Sequence, residues 1–279
     1  MTAPTAYTVI IPTYNRKETL CHALDSVLSQ TVPAQSVIVV DDGSTDETGA
    51  MLEQVYPQVT VLTQDNQGVS AARNRGISAT VTPWIALLDS DDRWLPKKIE
   101  RQFEAIQNAP TTRLFHTEEI WIRNGVRVNQ MKKHRKSGGD VFARSLQLCC
   151  ISPSSVLMHR TLFEQYGLFD TELPACEDYD LWLRIAAGEA VGFVTEPLTV
   201  KYGGHADQLS RAHWGMDRFR VYAIEKLLLG GTLNAEQAER ARQTLVKKLD
   251  ILSNGARKRG QLDDVAAYQE KRAKWAEHG

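Results

Sequence analysis

Trp84-Ile85-Ala86-Leu87-Leu88-Asp89-Ser90-Asp91-Asp92 sets five apolar residues directly against three carboxylates. The apolar run is short and continuous, as expected of a strand covered on both faces, and it ends on Asp89. Like charges this close repel unless a cation or a hydrogen-bond network compensates them. Hard carboxylate oxygens with few protein ligands suit magnesium or manganese, the other ligands coming from a diphosphate and water. The plain alternative is a solvated acidic turn that caps the next helix, because short motifs often match by chance. A calcium loop is excluded, since Trp94 stands where the sixth-position glycine should be.

Upstream, buried-strand patterns alternate with helical ones. Thr8 to Pro12 is a strand, and Leu20, Leu24, Val27 and Leu28 share one helical face. Ser36 to Val40 is a second strand running into Asp41-Asp42-Gly43-Ser44, with Ser44 and Glu47 spaced as a capping box. Val59 to Thr63 follows as a strand and Val69 to Ala79 as a helix. This spacing predicts an α/β fold: a mostly parallel, Rossmann-related sheet flanked by helices. Ligands of such sheets bind beyond the carboxyl ends of the strands. Tyr14, Asp41-Asp42 and Asp89-Ser90-Asp91 should therefore gather on one edge.

Downstream, a helix is expected over Lys97 to Gln107 and a hairpin around Asn124-Gly125. A basic loop, Lys132-Lys133-His134-Arg135-Lys136, comes next. Glu177 to Ala187 reads as a helix and Leu198 to Tyr202 as a strand. From Trp214 the chain is helical, with breaks at Gly230-Gly231 and Gly260. The expected organisation is a tail over 1–6, a domain over 7–210 (nucleotide-binding half 7–92, acceptor half 93–210) and a C-terminal helical extension over 211–279.

The chain has 279 residues and a net charge of -1, so nothing global draws it to nucleic acid. No apolar run reaches the roughly 20 residues of a membrane helix, and no secretory leader is visible. The four cysteines form no Cys-x-x-Cys pair, which fits free thiols in a reducing cytoplasm.

Taken in order, Thr8 to Arg16 (TVIIPTYNR), Val39 to Asp46 (VVDDGSTD), Gly68 to Gly76 (GVSAARNRG), Leu88 to Asp92 (LDSDD) and Glu177 to Trp182 (EDYDLW) resemble the family 2 glycosyltransferases of GT-A fold. The resemblance spans residues 7 to 205 and leaves the C-terminal helices unexplained. It implies inverting transfer from a nucleoside diphosphate sugar, a UDP-sugar favoured, with a divalent cation (Mn2+ or Mg2+). Pro12, Thr13 and Tyr14 would border the nucleobase, Asp41 with Asp42 would take its edge N–H, and Arg73 would face the nucleotide. Asp89 and Ser90 would lie along the donor, with Asp89 at the ribose, Asp91 would ligate the metal, and Asp92 would assist through water or cap the helix. His205 resembles the late histidine that serves as a further metal ligand in some members.

The same resemblance gives Asp178 the role of general base, with Glu177 and Asp180 flanking it. A cluster of acids at a helix start also has the plainer reading of dipole stabilisation. Trp121 and Trp182 are candidates for acceptor contact, and the basic loop 132–136 for a lid over the diphosphate. The acceptor would be a sugar, a lipid-linked glycan or a protein. The expected setting is cytoplasmic, with peripheral contact at the inner face of the cell membrane and homodimerisation through the C-terminal helices both left open. Two other classes compete: a nucleotidyltransferase, which should carry a Gly-rich basic loop where Pro12-Thr13-Tyr14-Asn15-Arg16 stands, and a non-catalytic sugar-nucleotide-binding module.

Overall fold

The computed structural model describes residues 6–129, 131, 134–204 and 213–276. Its first half alternates as the sequence pattern predicts: β1 (Tyr7–Thr13), α1 (Lys17–Leu28), β2 (Ser36–Asp41), α2 (Thr48–Val55), β3 (Thr60–Thr63), α3 (Val69–Ser78) and β4 (Trp84–Leu87). The four strands pair in parallel in the order β3-β2-β1-β4. All seven residues of β1 are buried. Val9 and Ile11 pack on one face with Leu20, Leu24 and Phe103, while Ile10 packs on the other with Ala72, Ile77 and Trp182. Two covered faces explain a strand without polar alternation. A Cβ at Gly76 of α3 would sit 2.4 Å from Ile10 Cγ2, so this glycine lets α3 lie directly on β1.

Beyond β4 the sheet becomes mixed. β5 (Arg93–Trp94) and α4 (Lys98–Asn108) precede β6 (Leu114–Arg123) and β7 (Val126–Val128). The β6–β7 turn has Asn124 and Gly125 at φ 50° and 77°, the paired left-handed conformation expected of Asn-Gly. α5 (Phe142–Gln147), a 3-10 turn (Pro153–Ser155), β8 (Val156–His159) and α6 (Thr161–Tyr166) then lead to α7 (Glu177–Ala186) and β9 (Gly192–Gly203). β8 is antiparallel to both β4 and β6, whereas β9 runs parallel to β6 and antiparallel to β5.

α8 (Asp217–Leu229), α9 (Ala235–Lys258) and α10 (Leu262–Ala276) complete the chain. Ile224, Leu227, Leu245 and Leu249 belong to the same buried cluster as Tyr179 and Trp182, so α8 and α9 share the core behind α7. The expected boundary near residue 210 lies outside the described residues. No helix among the described residues is long and apolar enough to cross a membrane.

The capping box expected at Ser44 and Glu47 is replaced by other bonds. Ser44 Oγ accepts the N–H of Asn15 at 2.8 Å, Glu47 pairs with Lys17, and Asp46 Oδ1 accepts the N–H of Thr48 at 3.0 Å. Leu28, assigned to the apolar face of α1, is 42% exposed at its end. Ser44 is spent on the neighbouring loop because the β1–α1 and β2–α2 loops meet at the sheet edge.

His116 on β6 is fully buried against Phe193, its Nε2 3.0 Å from Ser137 O and its Nδ1 without a partner among the described residues. Burial, aided by nearby Lys136, pushes its pKa from 6.5 down to about 3. The unfolded chain therefore binds the extra proton first, and stability should fall as pH drops from about 6.5 toward 3. The loss at the acid limit is expected to be on the order of 3–5 kcal/mol. Urea unfolding of His116→Phe across this range should show a flatter slope than the parent chain.

Candidate active site

The strand ends carry the polar clusters to one edge. Thr13, the last residue of β1, pairs in register with Asp41, the last of β2, and Asp42 N–H donates to Thr13 O at 2.9 Å. Pro12 lies one step back, opposite Val40. Tyr14 follows the strand and is 46% exposed, an open ring at the rim. Asn15, at φ 51°, takes the Thr45 N–H on its Oδ1 at 2.7 Å and so ties this rim to the next loop.

Asp41 and Asp42 are both buried but engaged differently. Asp41 Oδ1 accepts the turn N–H of Ser44 at 2.9 Å, its one hydrogen bond among the side-chain bonds of the described residues. Asp42 accepts Gln64 Nε2 and the N–H groups of Gln67 and Gly68, all within 2.9 Å. Asp42 thus shapes the loop that launches α3. Three buried polar atoms, Thr13 Oγ1, Ser70 Oγ and Arg73 Nε, lack partners among the described residues. Buried polar atoms are seldom left so unless a ligand or water completes them.

Arg73 is the hinge of the arrangement. It is 3% exposed, with Nη2 2.7 Å from Asp89 Oδ1, Nη1 2.6 Å from Glu177 Oε1, and its guanidinium over the Phe169 ring. Burial opposes the charge on Asp89, but Arg73 and Lys201 prevail and hold its carboxyl below the usual range. Burial, with Asp178 alongside, raises Glu177 against the pull of Arg73.

The other acids of the motif divide. Asp92 is buried and accepts Ser154 Oγ–H at 2.6 Å and Tyr202 N–H at 3.1 Å, with Lys201 Nζ at 3.3 Å. Burial lifts its pKa to about 7, opposed by Lys201 and reinforced by Asp91 and Asp89. It is an anchor rather than the helix cap that the sequence offered. Ser90 is buried beside it. Asp91 is partly exposed and makes no hydrogen bond or ion pair with another described residue. Burial and the charge of Asp89 raise its pKa, while Lys201 and Arg16 pull it down.

α7 brings the second acidic group. Cys176 precedes it at φ 64°, a left-handed conformation costly for a non-glycine residue. Glu177 then turns inward to Arg73, while Asp178 stays partly exposed. Asp180 is buried and held by Arg184 at 2.7 Å and Lys226 at 3.1 Å, which removes it from the candidate bases. Trp182 is 2% exposed and packs edge-on against Phe169, so the acceptor contact suggested for it gives way to core packing.

Trp121 on β6 is partly exposed; its Nε1–H donates to Glu119 Oε2 at 2.8 Å and its ring meets His134. With Glu118, Arg127 and Asn129 it lines a cleft of about 350 Å³. Lys136, assigned to a basic lid, is buried instead: its Nζ lies 3.2 Å from both Glu119 Oε1 and Cys150 O. Lys132 and Lys133 of that loop, and His205, lie outside the described residues. Among the described residues no group of three or more His, Cys, Asp or Glu side chains is placed to hold a metal.

Sequence reading passed over the segment Leu148-Cys149-Cys150-Ile151-Ser152-Pro153-Ser154-Ser155. Ser154 Oγ accepts Asp89 N–H at 3.1 Å while donating to Asp92, and Ser154 O accepts Trp94 Nε1–H at 2.7 Å. Ser152 Oγ accepts from Lys201 Nζ at 3.3 Å, and Cys149 Sγ lies 3.3 Å from Asp178 Oδ2. Small polar residues around a proline signal only a turn in sequence, and their long-range partners are visible only in the fold.

Arg73→Met should strand Asp89 and Glu177 as uncompensated charges and cost about 3–5 kcal/mol in urea unfolding. Combining it with Asp89→Asn and Glu177→Gln should recover part of that loss. An equal cost in both variants would contradict the paired-charge reading.

The chain matches the model of "Glycosyl transferase family 2" over residues 8–167. It is 32% identical over 206 residues to an uncharacterized glycosyltransferase of Rickettsia felis, covering 70% of this chain and 32% of that protein. The chain thus spans about a third of the length of that relative. It is 28% identical over 212 residues to the Escherichia coli UDP-Glc:alpha-D-GlcNAc-diphosphoundecaprenol beta-1,3-glucosyltransferase WfaP, covering 72% of this chain and 78% of WfaP. The fold superposes on S. aureus TarS 1-349 in complex with UDP-GlcNAc with a TM-score of 0.66 at 17% identity, covering 96% of this chain and 92% of that one. The architecture is accordingly GT-A-like with C-terminal helices. The match over more than half its length, on the strands and loops that gather the acidic edge, makes this chain a member of glycosyl transferase family 2.

Proposed function

We propose that this chain transfers a sugar from a nucleoside diphosphate sugar to an acceptor hydroxyl with inversion at the anomeric carbon. The observation that carries the proposal is the fork of Arg73, which joins Asp89 of the acidic motif to Glu177, the neighbour of Asp178. One guanidinium width therefore separates the donor edge from the first turn of α7.

On the donor side, Tyr14 offers an apolar face to a base, and Asp41 keeps one oxygen for a base N–H. That pattern suits uracil, and likeness to the UDP-Glc-using WfaP and to TarS in complex with UDP-GlcNAc favours a UDP-sugar. Arg73 acts on the donor through Asp89, which it holds ionised near the expected ribose. A divalent cation fits the site: Asp91 is a partly buried carboxylate that makes no hydrogen bond or close ion pair with another described residue, next to Asp89, a second carboxylate held ionised. Asp91 would hold the cation, a hard carboxylate oxygen being a suitable ligand for magnesium or manganese. Bound there, the cation supplies charge compensation for the departing diphosphate.

Asp178 takes the proton of the acceptor hydroxyl as that oxygen attacks the anomeric carbon. Glu177 is the inward partner that fixes the helix start. The Trp121 cleft supports acceptor contact, since it opens beside Glu119, which connects through Ser152 and Lys201 to Asp92. A lipid-linked acceptor is favoured by analogy with WfaP, with work at a membrane face as its corollary.

A thermal-shift series with UDP-, GDP- and TDP-sugars, each with and without manganese, tests the donor reading. A shift of several degrees is expected for UDP-sugars with manganese, because a ligand at about 100 times its Kd stabilises by roughly 2.7 kcal/mol. Asp91→Ala should abolish it, and an equal shift without metal would contradict the site. Asp178→Asn should keep the shift and lose sugar transfer by about 10²–10⁴-fold. A chain that binds the donor but never turns it over would be the binding module instead.

A further inference from the structure

Asp178 has its two carboxylate oxygens bonded very differently. Oδ1 accepts the N–H of Tyr179, next on its own helix, at 2.7 Å. Oδ2 faces the thiol of Cys149, with Sγ 3.3 Å away. The same sulfur lies 3.2 Å from Ile151 O, but a thiol carries one proton and an ionised carboxylate is the stronger acceptor. The segment is held on both flanks. Before Cys149, Tyr179 Oη donates to Leu146 O at 2.7 Å and pins the end of α5 to α7. After it, Cys150 O accepts from Lys136 and Ser152 Oγ from Lys201.

We propose that Cys149 is a positioning residue for the transfer reaction: its thiol, a weak donor, holds the Asp178 carboxylate from the side opposite the Tyr179 N–H and so aims Oδ2 at the acceptor hydroxyl. This rests on the assignment of Asp178 as the general base. A base must be aimed, yet every donor bonded to its charged form lowers its pKa. A hydroxyl or ammonium is a stronger donor to a carboxylate than a thiol is, so the three differ in how they perturb the base they aim. Burial and the adjacent carboxylate both keep the Cys149 thiol protonated, so the direction of donation is set. The charged groups around the pair are Glu177 on α7, Arg73 reached through Glu177, and Lys136 ahead of α5. Arg220 and Asp217 of α8 stand farther out beside Cys176. In the step itself the hydroxyl proton passes to Asp178 Oδ2 while the hydroxyl oxygen bonds to the anomeric carbon. The bond from that carbon to the diphosphate oxygen breaks, its electron pair leaving with the diphosphate, and the thiol proton stays on sulfur.

The test uses the full chain with manganese and UDP-N-acetylglucosamine or UDP-glucose, reading UDP release to water across pH. Cys149→Ser should move the acidic midpoint of kcat down by about half to one pH unit and Cys149→Ala should move it up, because hydrogen bonds to the charged form lower a carboxylate pKa. Plateau kcat should fall about 3–10-fold in both while donor KM stays within about twofold, as expected when only the base is disturbed. Midpoints that coincide in all three folded proteins overturn the proposal, whatever happens to Tm. A second arm needs no turnover: iodoacetamide labelling of Cys149, followed by peptide mass spectrometry, should run several-fold faster at pH 8 in Asp178→Asn. An unchanged rate shows that the side chains do not meet and overturns the proposal. Faster labelling together with undiminished UDP release in Asp178→Asn would mean that the contact is real but the base lies elsewhere, and the positioning role falls with that assignment.

Discussion

Arg73 sits out of water with its guanidinium divided between Asp89 and Glu177. Everything that makes this edge of the sheet a site depends on that division. Asp89 ends the strand-to-loop passage of β4, and Glu177 opens α7, which lies 104 residues beyond Arg73. A planar fork with donors in fixed directions can hold two carboxylates at a set angle, which a lysine cannot. Such buried pairs contribute little net stability, because desolvation offsets most of the attraction; what they contribute is a unique arrangement that fails when one partner is missing. Here the arrangement joins the half of the molecule that would hold the donor to the helix that would hold the base.

The second constraint is the strap from Leu146 to Ser155. It is pinned to α7 through Tyr179 and to the acidic loop through Ser154, and Lys201 of β9 ties Ser152 to Asp92. Asp92 is therefore spent on structure, and Asp91 is left as the carboxylate of the motif without a close ion pair among the described residues. Division of labour among neighbouring acids eases the repulsion that the sequence alone poses: Asp89 leans on Arg73, Asp92 on Ser154 and Lys201, and Asp91 makes no hydrogen bond or ion pair with another described residue. The C-terminal helices serve the same end from behind, since α8 and α9 pack on the far side of the core that positions Tyr179 and Trp182.

The parallel half of the fold was legible because local physics decides it. Runs such as Thr8 to Pro12 and Trp84 to Leu88 can only be strands covered on both faces, and Asn124-Gly125 can only be a tight turn. The acidic edge was legible for the same reason, since a strand that ends on Asp89 places its carboxylate at the sheet rim. What stayed hidden has distant partners. Lys136 looks like one cation in a solvated run until Glu119 and Cys150 O are seen around it. Trp182 looks like an available aromatic until the helix is rotated into the core. Ser152, Ser154 and Cys149 carry no pattern, because their bonds reach across tens of residues. The pattern over Val69 to Ala79 puts Arg73 on a helix, but its fork between Asp89 and Glu177 has no signature in spacing.

In the proposed reaction Asp178, across the Arg73 bridge from the donor edge, takes the acceptor proton in a single displacement. The direct measurement is the anomeric configuration of the sugar transferred or released from α-linked UDP-N-acetylglucosamine or UDP-glucose, followed by proton NMR before mutarotation. Inversion gives the β configuration as the first product; a first product of α configuration would rule out a single displacement.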